Sequence, residues 1–103
     1  MHVIALPILK NFWESPAHRD AEQPLRAWYA EAMTANWRNP AELKAQFKNA
    51  SILKGNRVVF NIKGNDYRLV TSIAFKYQVV YVKFIGTHVD YDKVNAETVD
   101  HSH

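Results

Sequence analysis

Arg68, His88 and Tyr91 bring a guanidinium, an imidazole and a phenol into the last third of a 103-residue chain. The stretch Asn65-Asp66-Tyr67-Arg68-Leu69-Val70 places the Arg inside a predicted strand. The stretch Ile85-Gly86-Thr87-His88-Val89-Asp90-Tyr91-Asp92 places the His and Tyr just past the end of the next one. If those strands are neighbours, the three groups can converge at one end of a sheet. A fixed cation stabilises charge that builds up on phosphoryl oxygens. An imidazole trades protons near neutral pH, and a phenol can orient a group or donate a proton. That is equipment for moving a phosphoryl group, or for cutting RNA, without a metal.

Strand alternation assigns Arg68 its side. Along Asp66 to Phe75, residues Tyr67, Leu69, Thr71, Ile73 and Phe75 share one face, and Asp66, Arg68, Val70, Ser72 and Ala74 share the other. The bulkier set is expected to lie under helices, which leaves Arg68 on the open face. Tyr91 follows His88 by three residues and would share its face of a helix. Plainer roles fit the same positions. Arg68 would serve equally as a surface partner of Asp66, Asp90 or Asp92, and His88 as a turn or capping residue at a strand exit. The remaining histidines, His2, His18, His101 and His103, have no metal-ligand spacing. No phosphate-binding loop, dinucleotide fingerprint or nucleophile elbow occurs, so neither metal nor cofactor is expected.

The elements that must hold these groups can be read from periodicity. Residues 2–6 predict a short strand. Pro7 suits a first helical position, and Ile8, Leu9, Phe12 and Trp13 repeat at helical spacing until Ser15-Pro16. Leu25, Trp28, Tyr29, Ala32 and Met33 form an apolar stripe on a helix from about Asp20 to Asn36, with Pro24 in its first turn. Asn39-Pro40-Ala41-Glu42 reads as N-cap, first position and capping box of a third helix, with Leu43 and Phe47 facing inward. The period then switches to two. Arg57 to Ile62 and Asp66 to Phe75 predict a hairpin around Lys63-Gly64-Asn65, and Val79 to Ile85 a further long strand. Residues 88–95 fit a short last helix, and 95–103 a flexible tail. The order β-α-α-α-β-β-β-α predicts a single α+β domain over residues 1–103, its helices packed on one face of a mostly antiparallel sheet.

Composition narrows the partners. A chain that is 48% hydrophobic can build a core at this length. There is no apolar run of about 18 residues to span a membrane. No basic segment precedes the first apolar residues as a secretion signal would require. The absence of cysteine makes a reducing cytoplasm the simplest home. Net charge is +3 and unevenly spread. Residues 1–50 carry six basic side chains against five acidic, whereas residues 51–94 carry seven against three. Lys54, Arg57 and Lys63 fall in this basic, strand-rich half. It suits a polyanion such as RNA, and a few lysines on a solvated sheet would produce the same count.

Taken together, Val59-Phe60-Asn61-Ile62, Gly64-Asn65, Tyr67-Arg68-Leu69-Val70 and Ile85-Gly86-Thr87-His88 with Tyr91-Asp92 resemble the HigB family of toxins from bacterial type II toxin–antitoxin pairs. The likeness extends to the Pro40-Ala41-Glu42-Leu43-Lys44 helix and the N-terminal strand, so it spans nearly the whole chain. Tyr-Arg-Leu-Val alone is shared across the wider RelE/ParE-like superfamily. The resemblance implies a RelE-like fold and an mRNA endonuclease, usually acting on transcripts under translation by the ribosome. It also implies a helix-turn-helix antitoxin of the HigA kind, through which alone the toxin would meet DNA. Arg68 falls where the RelE motif Gly-Tyr-Arg-Leu-Val has its catalytic Arg. His88 follows the end of the last strand, where RelE itself has an Arg. On this basis Arg68, His88 and Tyr91 are the expected catalytic residues, with Lys54, Arg57 and Lys63 as RNA-backbone contacts. Two rivals remain: a ParE-like inhibitor of DNA gyrase, and a domain that binds RNA without cutting it.

Overall fold

A computed structural model describes residues 1–100. Strand β1 (His2–Ile4) leads into α1 (Leu6–Glu14), and a 3-10 stretch (Pro16–Ala21) leads into α2 (Glu22–Thr34) and α3 (Pro40–Gln46). The rest is mainly sheet: β2 (Ser51–Ile52), β3 (Arg57–Ile62), β4 (Tyr67–Ala74) and β5 (Val79–Thr87), closed by the single-turn helix α4 (His88–Tyr91). The strand order is β1-β5-β4-β3-β2, antiparallel except where β1 runs parallel to β5. This is the predicted α+β arrangement, with differences in detail. The two-residue β2 was too short to leave a period in the sequence, and α4 ends at Tyr91 rather than continuing to 95. No described helix is long and apolar enough to cross a membrane.

The helices cover one face of the sheet. Leu9 and Trp13 of α1, Leu25 and Trp28 of α2 and Leu43 of α3 are buried against Phe60, Leu69 and Val80. Burying each such side chain contributes about 1.5–3 kcal/mol. Edge-to-face contacts run from Trp37 through Phe47 and Phe60 to Trp28, which fixes α3 against β3. The predicted stripe on α2 holds at Leu25, Trp28 and Ala32 but fails at Met33, which is 51% exposed one residue before the helix ends. Asn39 caps α3 as expected, its Oδ1 accepting from the Glu42 amide at 3.0 Å. The return reach of Glu42 goes one residue further back than a capping box, to the amide of Arg38. Donation from that amide, and then from the Arg38 guanidinium, holds the Glu42 carboxyl below its usual range.

A bulge in β5 decides what the opposite face carries. Thr71 pairs with Val82 and Val70 with Phe84, so Lys83 is left without a partner in the register. Val80 and Val82 point toward the helices, and an unbroken alternation would send Phe84 and Gly86 the same way. The extra residue reverses this. Ile85 joins the main core, while Phe84 turns to the other face and packs with Val59 and Val70 in a second small cluster. Leu53, Tyr91, Val94, Ala96 and Val99 close over that cluster. Residues 95–100, expected to be a loose tail, therefore lie against the sheet, with Ala96 and Val99 packed on the second cluster. The remaining tail residues, 101–103, lie outside the described residues.

Candidate active site

Three strand ends meet at the hairpin tip. Lys63 and Gly64 have φ of +52° and +64°, the left-handed turn that brings β3 back antiparallel as β4. Arg68 stands second in β4, on the face away from the main core, with Asn61 of β3 and Gly86 of β5 as its register partners. Gly86 leaves space that a side chain would occupy. A Cβ built there would lie 2.6 Å from Cζ of Phe84 and 3.3 Å from Cβ of Asp90, so α4 and the Phe84 ring close directly over this glycine.

The strand exit sets up α4. Thr87 caps it, its Oγ1 accepting from the Asp90 amide at 3.1 Å. The capping duty that His88 might have taken thus belongs to its neighbour. The His88 amide donates to the carbonyl of Asp66 at 3.1 Å, tying the start of α4 to the hairpin tip. Its exposed imidazole is left to meet Asp92, with Nε2 3.4 Å from Oδ2. Tyr91, half-buried on the second cluster, lies under the Arg68 guanidinium at 5.8 Å from carbon to ring centroid. The structure therefore joins Arg68 directly to Tyr91 and carries His88 on the same short helix.

Arg68 is held by neutral groups. Its Nη1 donates to the carbonyl and side-chain oxygens of Asn65 at 3.3 and 3.4 Å. Among the described residues no carboxylate comes within ion-pair distance of it. The three expected acidic partners are placed otherwise. Asp66 meets Lys63 at 3.3 Å, Asp92 meets His88, and Asp90 sits in the first turn of α4. A half-buried guanidinium with an uncompensated charge and weak neutral contacts is suited to receiving an anion from solution. Asn65 and Asp92 escaped the sequence reading as supports. Asn65 left a signal in its position at a hairpin tip, and Asp92 in its spacing of four from His88.

The three expected backbone contacts separate. Lys54 is exposed at the turn before β3, with no ion pair or hydrogen bond among the described residues. Lys63 bridges Asp20 at 2.8 Å as well as Asp66, and these contacts raise its pKa. Arg57 departs from the expectation. Its Nη1 donates to the carbonyls of Ala96 at 3.1 Å and Val99 at 2.7 Å, so the group expected to face RNA is turned onto the chain's own backbone.

The other face of the same strand end is locked. Tyr67 Oη donates to Asp20 Oδ1 while Lys63 takes Oδ2. Burial, and then the bond to Asp20, pushes the Tyr67 hydroxyl up to about 12. Lys63 first and Tyr67 second draw the Asp20 carboxyl down. The His18 ring stacks on Phe12 at 4.2 Å and meets Tyr67 edge-on at 6.0 Å.

Residues 21–94, which include Arg68, His88 and Tyr91, match the family model of the HigB toxin, the RelE-like toxic component of a toxin-antitoxin system. The chain is also 32% identical over 95 residues to the mRNA interferase toxin HigB of Escherichia coli strain K12, covering 89% of this chain and 88% of that protein. The same identity and coverage relate it to proteins named mRNA interferase HigB from Escherichia coli O157:H7 and Shigella flexneri. The chain belongs to the HigB toxin family. Membership accounts for the RelE-like order of elements. The matched stretch includes both β4, which carries Arg68, and α4, which carries His88 and Tyr91.

Proposed function

We propose that this protein is the toxin of a type II toxin–antitoxin pair and an endoribonuclease that cuts mRNA, on translating ribosomes, in the cytoplasm. The observation that carries the reading is the Arg68 guanidinium. In a chain of the HigB family its partners among the described residues are Asn65 and the Tyr91 ring, with His88 on the adjoining helix turn. The ribose 2′-oxygen attacks the adjacent phosphorus, forming the new O–P bond as the bond to the 5′-oxygen of the next nucleotide breaks. The products are a 2′,3′-cyclic phosphate and a free 5′-hydroxyl. Arg68 stabilises the negative charge on the five-coordinate phosphorus. His88 exchanges a proton with the 2′- or the 5′-oxygen, oriented by Asp92, and Tyr91 positions the phosphate or stacks on a base. Lys54, with no carboxylate partner among the described residues, supplies charge to the RNA backbone that does not depend on sequence. A helix-turn-helix antitoxin of the HigA kind neutralises the toxin and carries any contact with DNA.

The test is expression without antitoxin, followed by primer-extension mapping of cellular mRNA. The wild-type chain is expected to arrest growth and leave discrete mRNA cuts, and Arg68→Ala and His88→Ala to abolish both while remaining folded. Growth arrest retained in both variants would overturn the site assignment. DNA breakage with intact mRNA would replace the nuclease by a gyrase inhibitor.

A further inference from the structure

Residues 94–100 form a strap across the face of the sheet that carries Arg68. Asn95 organises it, its carbonyl accepting from the Thr98 and Val99 amides and its Oδ1 from the Glu97 amide. The strap presents Val94, Ala96 and Val99 to the same three side chains, Val59, Val70 and Phe84, on which Tyr91 rests. Two anchors hold it from the sheet. Arg57 Nη1 reaches the carbonyls of Ala96 and Val99, 39 and 42 residues away in sequence, and Lys83 at the β5 bulge meets Asp100 at 3.6 Å. The segment 95–100 lies beyond the stretch matched by the family model.

The consequence runs from Arg57 to Tyr91. A helix of one turn has almost no stability of its own, because nucleating a turn fixes several residues for very few hydrogen bonds. The position of α4 must therefore come from its contacts: the Thr87 cap, the His88 amide on Asp66, and Tyr91 on the second cluster. The strap completes that cluster on its far side. We propose that Arg57 is a positioning residue, which by pinning the strap holds Tyr91 beneath the Arg68 guanidinium and α4 at the strand end. This rests on the nuclease reading for its catalytic consequence, and on the packing alone for its structural one. Arg57 is then no RNA ligand, although it lies in the basic half of the chain.

The experiment compares the full-length wild-type chain with Arg57→Ala, Val99→Asp and the double variant. Val99→Asp undocks the strap while leaving Arg57 in place, so it stands in if Arg57→Ala fails to fold. Three quantities are measured: cleavage of a defined mRNA on translating ribosomes at saturating substrate, the Kd for a single-stranded RNA, and amide hydrogen exchange of Asp92, Lys93 and Val94. Each single variant is expected to cut at least tenfold more slowly and to exchange those amides at least tenfold faster, with the Kd for RNA within twofold of wild type. The double variant should be no worse than either single one, since both changes break one unit. Weaker RNA binding by Arg57→Ala, with a salt slope lower by about one, would overturn the proposal and make Arg57 a phosphate contact. Unchanged exchange of the Asp92, Lys93 and Val94 amides, which donate to carbonyls of α4, would overturn it as well. Absence of cleavage by the wild-type chain would sink the nuclease reading instead, and the exchange arm would still decide the strap.

Discussion

Tyr67 and Arg68 are consecutive residues of one strand, and the strand's pleat sends them into opposite worlds. Tyr67 faces the helices, where its hydroxyl is bound to Asp20, its ring is met edge-on by Phe12 and His18, and only 5% of the residue is exposed. Arg68 faces the other way, with two long hydrogen bonds to Asn65 and one aromatic ring beneath it. The first environment pairs the phenol hydroxyl with a carboxylate, and the second leaves a full charge with no carboxylate in ion-pair distance among the described residues. A fold gains nothing in stability from such an uncompensated cation. Its value lies in the anion that completes it. The comparison teaches that the same strand end is built for rigidity on one face and for binding on the other.

The strongest way to break this contrast is at Arg68. If the open face serves the reaction, Arg68→Ala should reduce single-turnover mRNA cleavage by about a hundredfold to a thousandfold, the usual cost of losing one donor to transition-state charge. The thermal unfolding midpoint should stay where it is, because the partners it leaves, Asn65 and the ring face of Tyr91, remain in water or on the cluster. A large drop in the midpoint would show Arg68 to be scaffolding like its neighbour and would erase the difference between the faces.

Gly86 offers a smaller and mixed effect, because it belongs to both roles. A methyl group there would meet the Phe84 ring at 2.6 and 3.0 Å, and Phe84 in turn seats Tyr91. Gly86→Ala should cost about 1–3 kcal/mol of stability through overpacking. It should also slow cleavage, since the displaced ring carries the floor of the site with it. Denaturant unfolding and cleavage rates measured on the same preparation check both halves. A variant that is destabilised yet cuts normally would separate the second cluster from the reaction.

How far these features could be read in advance depended on how local their causes are. Asn39 and Pro40 announced α3, and the switch from helical to alternating period announced the hairpin, because caps and pleats are written in neighbouring residues. The parity of β4 correctly put Tyr67 and Leu69 under the helices and Arg68 outside. The β5 bulge left no such mark. Val79-Val80-Tyr81-Val82-Lys83-Phe84-Ile85 reads as an even alternation, and only pairing with β4 shows that Lys83 drops out of register. That one slip turns Phe84 and Gly86 to the open face, creates the second cluster and gives residues 95–100 a surface on which to rest. The contacts of Arg57 were hidden for a related reason. Its composition class points outward to polyanions, while its actual partners are two carbonyls some 40 residues away, invisible to any window of sequence.

The smallest expected effect lies on the locked face, and pH can isolate it. Asp20 has a folded pKa below its ordinary 3.8, so its contribution to stability is present above that value and is lost as pH falls through the lower, folded one. Tyr67 and Lys63 have raised values, so their contributions are complete below 10.0 and 10.5 respectively and are lost as pH rises through the folded values, about 12 for Tyr67. The Lys63–Asp20 pair is about half exposed, so salt should screen its share, whereas the buried hydroxyl bond should be indifferent to salt. Tyr67→Phe should then cost about 1 kcal/mol at neutral pH, the net worth of one hydrogen bond, and flatten the loss of stability between pH 10 and 12. Cleavage at neutral pH should be retained. Denaturant midpoints across that range, at low and high salt, provide the measurement. If Tyr67→Phe instead abolished cleavage with its stability intact, the two faces would share one function, and the division drawn at the Tyr67–Arg68 peptide would be wrong.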